Sequence, residues 1–200
     1  MPRRAGCCWC PTRSTSRYRR ELLERLRLRF EVDAPRIDES PRPGEAPAAL
    51  AQRLALEKAR DVAARHADAV VIGSDQVAEL DGRPVGKPGD HARAVAQLRA
   101  MSARTVVFHT AVAVLRPATG YAAEALAPVT VRFRTLDDAA IERYLRLEQP
   151  YDCAGSAKSE TLGIALLEAI ESDDPTALVG LPLMRTCALL REAGIDPLAG

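Results

Sequence analysis

Four stretches of this sequence gather the side chains that cleavage of a phosphoanhydride requires: Ser14 to Arg20, Asp38-Glu39, Ser74-Asp75-Gln76 with Gly86-Lys87, and Ser156 to Glu160. Such a reaction needs cations to neutralise charge on the phosphate oxygens, carboxylates to hold a divalent metal, and one group to activate or orient water. Arg19, Arg20, Lys58 and Lys87 are available as the cations, Glu39 and Asp75 as the carboxylates, and Asp75 as the activating group. Each has an ordinary surface role when taken singly: Lys58 as a snorkelling lysine, Asp38-Glu39 as solvated loop acids, Arg19-Arg20 as the wet face of a helix. Asp75 differs, because it directly follows an apolar β-branched block, where solvation does not explain an acid.

These residues need elements to position them. Leu22, Leu23 and Leu26 fall at helical spacing, which predicts a helix from Tyr18 to Leu28. Its start after Ser14-Thr15-Ser16 would offer hydroxyls and free N–H groups to a phosphate. Phe30-Glu31-Val32 reads as a short strand and residues 38–44 as a proline-punctuated loop. An alanine-rich helix is expected from Ala46 to about His66, with Lys58 on or beside its apolar stripe. Ala69 to Ile72 reads as a buried parallel strand ending at Gly73, with Ser74-Asp75-Gln76 at its carboxyl end, where α/β proteins place ligands. A hairpin at Asp81-Gly82, a helix capped by Asp90, and paired strands over Thr105 to Leu115 and Tyr121 to Phe133 follow. A helix from Leu136-Asp137-Asp138 to near Glu148, a small-residue loop over 153–160 and a last helix from Gly180 to Ala193 complete the chain. Alternating elements with a central hairpin predict a mixed α/β sheet, and no G-x-G-x-x-G is present to mark a dinucleotide fold.

Composition narrows the choices. With 28 basic and 27 acidic residues, the net charge of +1 offers no footprint for nucleic acid or for an anionic membrane. No apolar run is long enough to span a bilayer and no signal peptide opens the chain, so a cytoplasmic location is expected. Five cysteines, three of them crowded at Cys7, Cys8 and Cys10, do not make a disulfide framework, and no second Cys or His pair follows at zinc-ligand spacing.

Taken in order, Ser14-Thr15-Ser16-Arg17-Tyr18-Arg19-Arg20-Glu21-Leu22-Leu23, Asp38-Glu39-Ser40, Glu57-Lys58-Ala59, Gly73-Ser74-Asp75-Gln76-Val77, Gly86-Lys87-Pro88, Ala154 to Glu160 and Gly180-Leu181-Pro182-Leu183 resemble the Maf-like nucleotide pyrophosphatases, from about Ser14 to Leu198. The resemblance implies hydrolysis of a nucleoside triphosphate to the monophosphate and pyrophosphate, with Mg²⁺ or Mn²⁺. It implies Asp75 as the proton acceptor, Glu39 and Asp75 toward the metal, and Ser14, Arg19, Lys58 and Lys87 toward phosphate. It also implies an elongated mixed β-sheet flanked by helices, related to inosine triphosphatase-like folds, and a homodimer. Tyr18, Gln76 and Glu160 stand at the places where branches of the family differ and resemble the branch acting on 7-methyl-GTP, whose role would be to clear modified nucleotides. The chemistry agrees: 7-methylguanine carries a ring charge that an aromatic face such as Tyr18 attracts, and Glu160 accepts from guanine N1 and N2 donors.

Residues 1–13 depart from this pattern, ahead of a single domain over 14–200. Where the family has a hydrophobic strand, this chain has Cys8-Trp9-Cys10-Pro11-Thr12-Arg13, and a core strand containing Pro11 and Arg13 is hard to reconcile with central burial. The segment reads as an atypical N-terminus, disordered or the product of a frameshift, since a one-base shift turns Cys and Trp codons into Leu and Val codons. Two other readings stay open: a broader purine nucleoside triphosphate pyrophosphatase, and a catalytically weak nucleotide-binding regulator linked to cell division.

Overall fold

The long apolar runs in the middle of the chain become a mixed sheet, and the amphipathic segments around them become its covering helices. The computed structural model describes residues 8–10 and 17–199. Its strands are β1 (Cys8–Cys10), β2 (Phe30–Val32), β3 (Val70–Leu80), β4 (Arg83–Val85), β5 (Thr105–Arg116), β6 (Tyr121–Phe133) and β7 (Leu167–Glu171). Its α-helices are α1 (Arg17–Glu24), α2 (Pro47–Ala63), α3 (His91–Met101), α4 (Asp138–Glu148) and α5 (Leu183–Glu192). The strand order is β2-β1-β3-β5-β6-β7, with β4 also paired to β3. β1 runs parallel to β2 and β3, and the remaining pairings are antiparallel.

The two faces of the sheet are covered differently. On one, Leu50, Leu54, Ala55 and Val62 of α2 pack against Val71, Ala111, Ala113 and Leu115. The contact is close because Gly73 lacks a side chain: a Cβ there would lie 2.2 Å from the Ala55 carbonyl oxygen and 2.8 Å from the Ala59 Cβ. The other face carries two apolar clusters. Leu22 and Leu23 of α1 and Leu189 and Leu190 of α5 cover Val70, Ile72, Val112 and Val114. Ala94, Leu98, Ile141 and Leu145 of α3 and α4 cover Phe108, Val129, Val131 and Phe133. Between these clusters the same face turns polar at Ser74, Gln76 and Thr110, which meet the segment 177–180.

β3 supplies the opening in this arrangement. It pairs with β1 only at Val70 and Val71, and with β4 only from Ala78 to Leu80. Along residues 72–77 that edge therefore has no strand partner among the described residues. The hairpin at Asp81-Gly82 forms as expected, with both residues at positive φ (53° and 74°), the conformation that lets a two-residue turn follow the twist of its strands.

The structure corrects several expectations. β3 does not end at Gly73, because β5 pairs with it from Val71 to Glu79, so Ser74-Asp75-Gln76 lies mid-strand. Within the stretch read as atypical, Cys8–Cys10 is a strand paired on both sides, with β2 and β3. The rest of that segment, and Ser14 after it, lie outside the described residues. α1 ends at Glu24, short of Leu28, before a turn in which Arg27 adopts φ 55°. α5 begins at Leu183 rather than Gly180. β7 carried no sequence signal, being short and at the sheet edge.

Candidate active site

A cleft of about 1100 Å³ opens at the unpaired edge of β3. Tyr18, Arg19, Glu39, Lys58, Asp75, Gln76, Lys87 and Glu160 all line it, whereas Arg20, expected as a further cation, does not: it sits on the wet side of α1 and pairs with Glu24 at 3.0 Å. Consecutive strand residues point to opposite faces, yet Asp75 and Gln76 both reach the cleft because it wraps around a strand edge.

The α2 face contributes charge. Lys58 and Asp75 are 5% and 8% exposed, and Lys58 Nζ donates to Asp75 Oδ1 at 2.6 Å. The same ammonium lies 3.2 Å from Glu39 Oε2. A buried lysine is tolerable only with such partners, and removing one would strand the others. The close approach of α2 at Gly73 brings Lys58 within reach, since Ala59, which fills the glycine gap, is its neighbour. Asp75 Oδ2 has no hydrogen-bond donor among the described residues, so one carboxylate oxygen is anchored and the other is left for a ligand.

Two carboxylates converging on one cationic centre also suit a hard divalent cation. Mg²⁺ and Mn²⁺ accept one or two protein carboxylates and complete their shell with water and substrate phosphates. No group of three or more His, Cys, Asp or Glu among the described residues is placed to hold an ion. Glu39 and Asp75 fit a metal whose remaining ligands are water and phosphate oxygens. Lys87, exposed on the loop after β4, forms no ion pair among the described residues. Arg19 anchors its Nε on the Gly180 carbonyl at 2.8 Å.

The opposite face contributes neutral polar groups. Gln76 Nε2 lies 2.9 Å from Thr110 Oγ1 and 3.0 Å from the carbonyl oxygens of both Ala177 and Leu178. Carbonyls only accept, so this end must be the NH₂, and the amide orientation is fixed by chemistry. Oε1 accepts no hydrogen bond among the described residues, leaving Gln76 to offer an acceptor. Thr110, fully buried, donates onward to Ala177 O at 2.9 Å, and Ser74 Oγ donates to Gly180 O at 3.1 Å. These contacts pin the segment 177–180 along the cleft. Thr110 escaped the sequence reading; its signal is a hydroxyl at an inward position of an otherwise apolar strand.

The third wall is the loop 153–160. Gly155 and Ser156 take positive φ (70° and 53°), and a Cβ at Gly155 would lie 3.1 Å from the Phe108 ring. Buried Ser156 donates to Gln97 Oε1 at 2.6 Å, and Gln97 Nε2 donates to Gly86 O at 3.0 Å, tying this loop to the one bearing Lys87. Glu160 keeps exposed surface at the cleft, but surrounding protein desolvates its carboxylate and raises its pKa, with the Glu148 charge adding to the rise. Burial lowers the Lys158 pKa, but its hydrogen bond with the Tyr18 hydroxyl and the nearby Cys153 and Asp152 more than offset that, and the net shift is upward. The guanidinium of Arg17 stacks 5.1 Å from the Tyr18 ring centroid, so that ring already attracts a cation. Burial pushes the Cys153 thiol up to about 12, which leaves it protonated at neutral pH and unsuited to nucleophilic attack.

Comparison with known proteins follows the same lines. A family model described as Maf-like protein matches residues 13–193. A 7-methyl-GTP pyrophosphatase of Polaromonas sp. is 66% identical over 182 residues, covering 91% of this chain and 83% of that protein. Proteins of the same name from Albidiferax ferrireducens and Thiobacillus denitrificans are 65% and 59% identical, each covering 92% of this chain and 93% and 92% of their own lengths. Among solved structures, a nucleoside-triphosphatase / dITP/XTP pyrophosphatase from Mycobacterium abscessus aligns with a TM-score of 0.40 at 19% identity, over 64% of this chain and 72% of that one.

Proposed function

This chain belongs to the Maf-like protein family, and on that premise we propose that it is a nucleotide pyrophosphatase hydrolysing 7-methyl-GTP to 7-methyl-GMP and pyrophosphate. The observation that carries the reading is that Asp75, Lys58 and Glu39 converge in the same cleft as Gln76, Glu160 and Tyr18.

The reaction breaks the bond between the α-phosphorus and the oxygen bridging to the β-phosphate. Asp75, held by Lys58 through Oδ1, presents Oδ2 to a water molecule and takes its proton as the water oxygen bonds to the α-phosphorus. The electron pair of the broken bond departs with pyrophosphate. Lys58, Lys87 and Arg19 neutralise the phosphate oxygens, with Ser14 as a further phosphate ligand. Glu39 and Asp75 would hold Mg²⁺ or Mn²⁺, which when bound supplies Lewis-acid neutralisation of phosphate charge.

The base is read by complementary chemistry. Guanine offers adjacent N1 and N2 donors, and the cleft offers acceptors in Gln76 Oε1 and the Glu160 carboxylate. The positive ring of 7-methylguanine suits both that anion and the Tyr18 face. A uracil ring has no such donor pair, so its triphosphate gains less. The reading carries with it a homodimer working in the cytoplasm on modified nucleotides, as the family resemblance implies.

The test is to incubate purified protein with Mg²⁺ or Mn²⁺ and a panel of nucleoside triphosphates and to measure pyrophosphate. Release chiefly from 7-methyl-GTP supports the reading. Comparable release across purines would widen the substrate, and binding without release would replace the enzyme with a nucleotide-binding regulator.

A further inference from the structure

Glu39 has no regular element to hold it. It sits in a loop with Pro41, Pro43 and Gly44, the last at φ 73°, and its side chain is 44% exposed. A carboxylate so placed would wander unless something outside the cleft fixed its backbone.

Arg53 does so, without lining the cleft. Its Nε donates to Glu45 Oε1 at 2.6 Å and its Nη2 to Glu45 Oε2 at 2.8 Å, a fork-on-fork pair. Nη2 also donates to the Ser40 carbonyl at 3.1 Å, and Nη1 to Glu57 Oε2 at 3.1 Å. Glu45 Oε2 accepts from the Arg42 amide, and Glu57 Oε1 from Arg42 Nη2. The loop is thereby closed in a ring around one guanidinium. The Arg53 and Glu45 side chains are only 13% and 9% exposed, so water screens this pair little. Ser40 directly follows Glu39, and its amide donates to Asp38 Oδ1, which stiffens residues 38–40. Arg53 and Lys58 lie on the same helix, so one rigid element holds both the backbone beside Glu39 and the ammonium that meets its carboxylate.

We infer that Arg53 is the positioning residue for Glu39 and, through it, sets the affinity of the cleft for a divalent cation. The inference rests on the metal-holding role given to Glu39 above. Substituting such an outer partner of a metal-holding group typically lowers metal affinity about 10-fold to 100-fold.

The test measures Mn²⁺ binding to the full-length protein by electron paramagnetic resonance of the free ion, a readout independent of turnover. Arg53→Ala, Arg53→Lys and Glu45→Gln are compared in wild-type and Glu39→Ala backgrounds, with melting temperature as a check on folding. Arg53→Ala should weaken Mn²⁺ about 10-fold or more, and Glu45→Gln less. Arg53→Lys should restore little, since an ammonium cannot fork. In the Glu39→Ala background Arg53→Ala should add less than about twofold, because its effect passes through the missing carboxylate. Equal losses in both backgrounds, unchanged affinity with only a lower melting temperature, or no Mn²⁺ binding by the wild type would overturn the inference. Mn²⁺ binding that depends on Arg53 in a protein releasing no pyrophosphate would sink the proposed activity and leave this inference standing.

Discussion

Asp75 and Gln76 are adjacent in sequence and face opposite sides of one strand, and the two sides have different chemistry. The α2 side is charged and dry: a buried lysine bridges two carboxylates. The other side is neutral, with an amide, two hydroxyls and backbone carbonyls pinning residues 177–180. Both sides serve one cleft because β3 lacks a strand partner between β1 and β4. On the proposed roles, the period-two geometry of a strand would separate bond cleavage from base reading, and substitutions should damage one without the other.

The largest expected effect lies on the charged side. Asp75→Asn should lower turnover by roughly 10³-fold, the scale of losing a positioned base, while calorimetry still detects nucleotide binding. Gly73→Ala comes next. Its methyl would meet the Ala55 carbonyl, so α2 must move off the sheet, destabilising the fold by about 1–3 kcal/mol and carrying Lys58 away from Asp75. Thermal denaturation and turnover should fall together. On the reading side, Glu160→Gln should leave turnover of a saturating substrate nearly unchanged and reduce the preference for 7-methyl-GTP over UTP by about 10-fold.

The smallest effect concerns pH. Burial raises the Glu160 pKa above its ordinary value of 4.5, so the folded state holds that proton more tightly than the unfolded chain. As pH falls through the raised value the carboxylate gains a proton and stops accepting on one oxygen. KM for 7-methyl-GTP should therefore rise in mild acid, a rise absent from Glu160→Gln. For stability the sign is that of an acid with a raised folded pKa: ionised Glu160 disfavours the fold at neutral pH, and the penalty is relieved as pH falls through the folded pKa. Glu160→Gln should accordingly melt slightly higher than wild type at pH 7.

Much of this was legible in sequence because its signals are local. Asp75 follows an apolar block, Lys58 lies on a helical stripe, Asp90 caps a helix and Asp81-Gly82 turns a hairpin. What escaped depends on partners distant in the chain. β3 runs past Gly73 because β5 pairs with it, and no local pattern announces that. Thr110 and the segment 177–180 acquire meaning only when Gln76 meets them. The Arg53 ring joins residues 3 to 15 positions apart through side chains that singly read as surface charge.

The most direct test mixes 7-methyl-GTP and GTP in equal amounts with limiting protein and quantifies the two monophosphates, for the wild type and for Tyr18→Ala. Wild-type protein should consume 7-methyl-GTP first, and Tyr18→Ala should erode that order while total pyrophosphate changes little, since the proposed role of the ring is to read the base charge and not to take part in bond cleavage. Equal consumption by the wild type, or an order unaltered by losing Tyr18, would contradict the account.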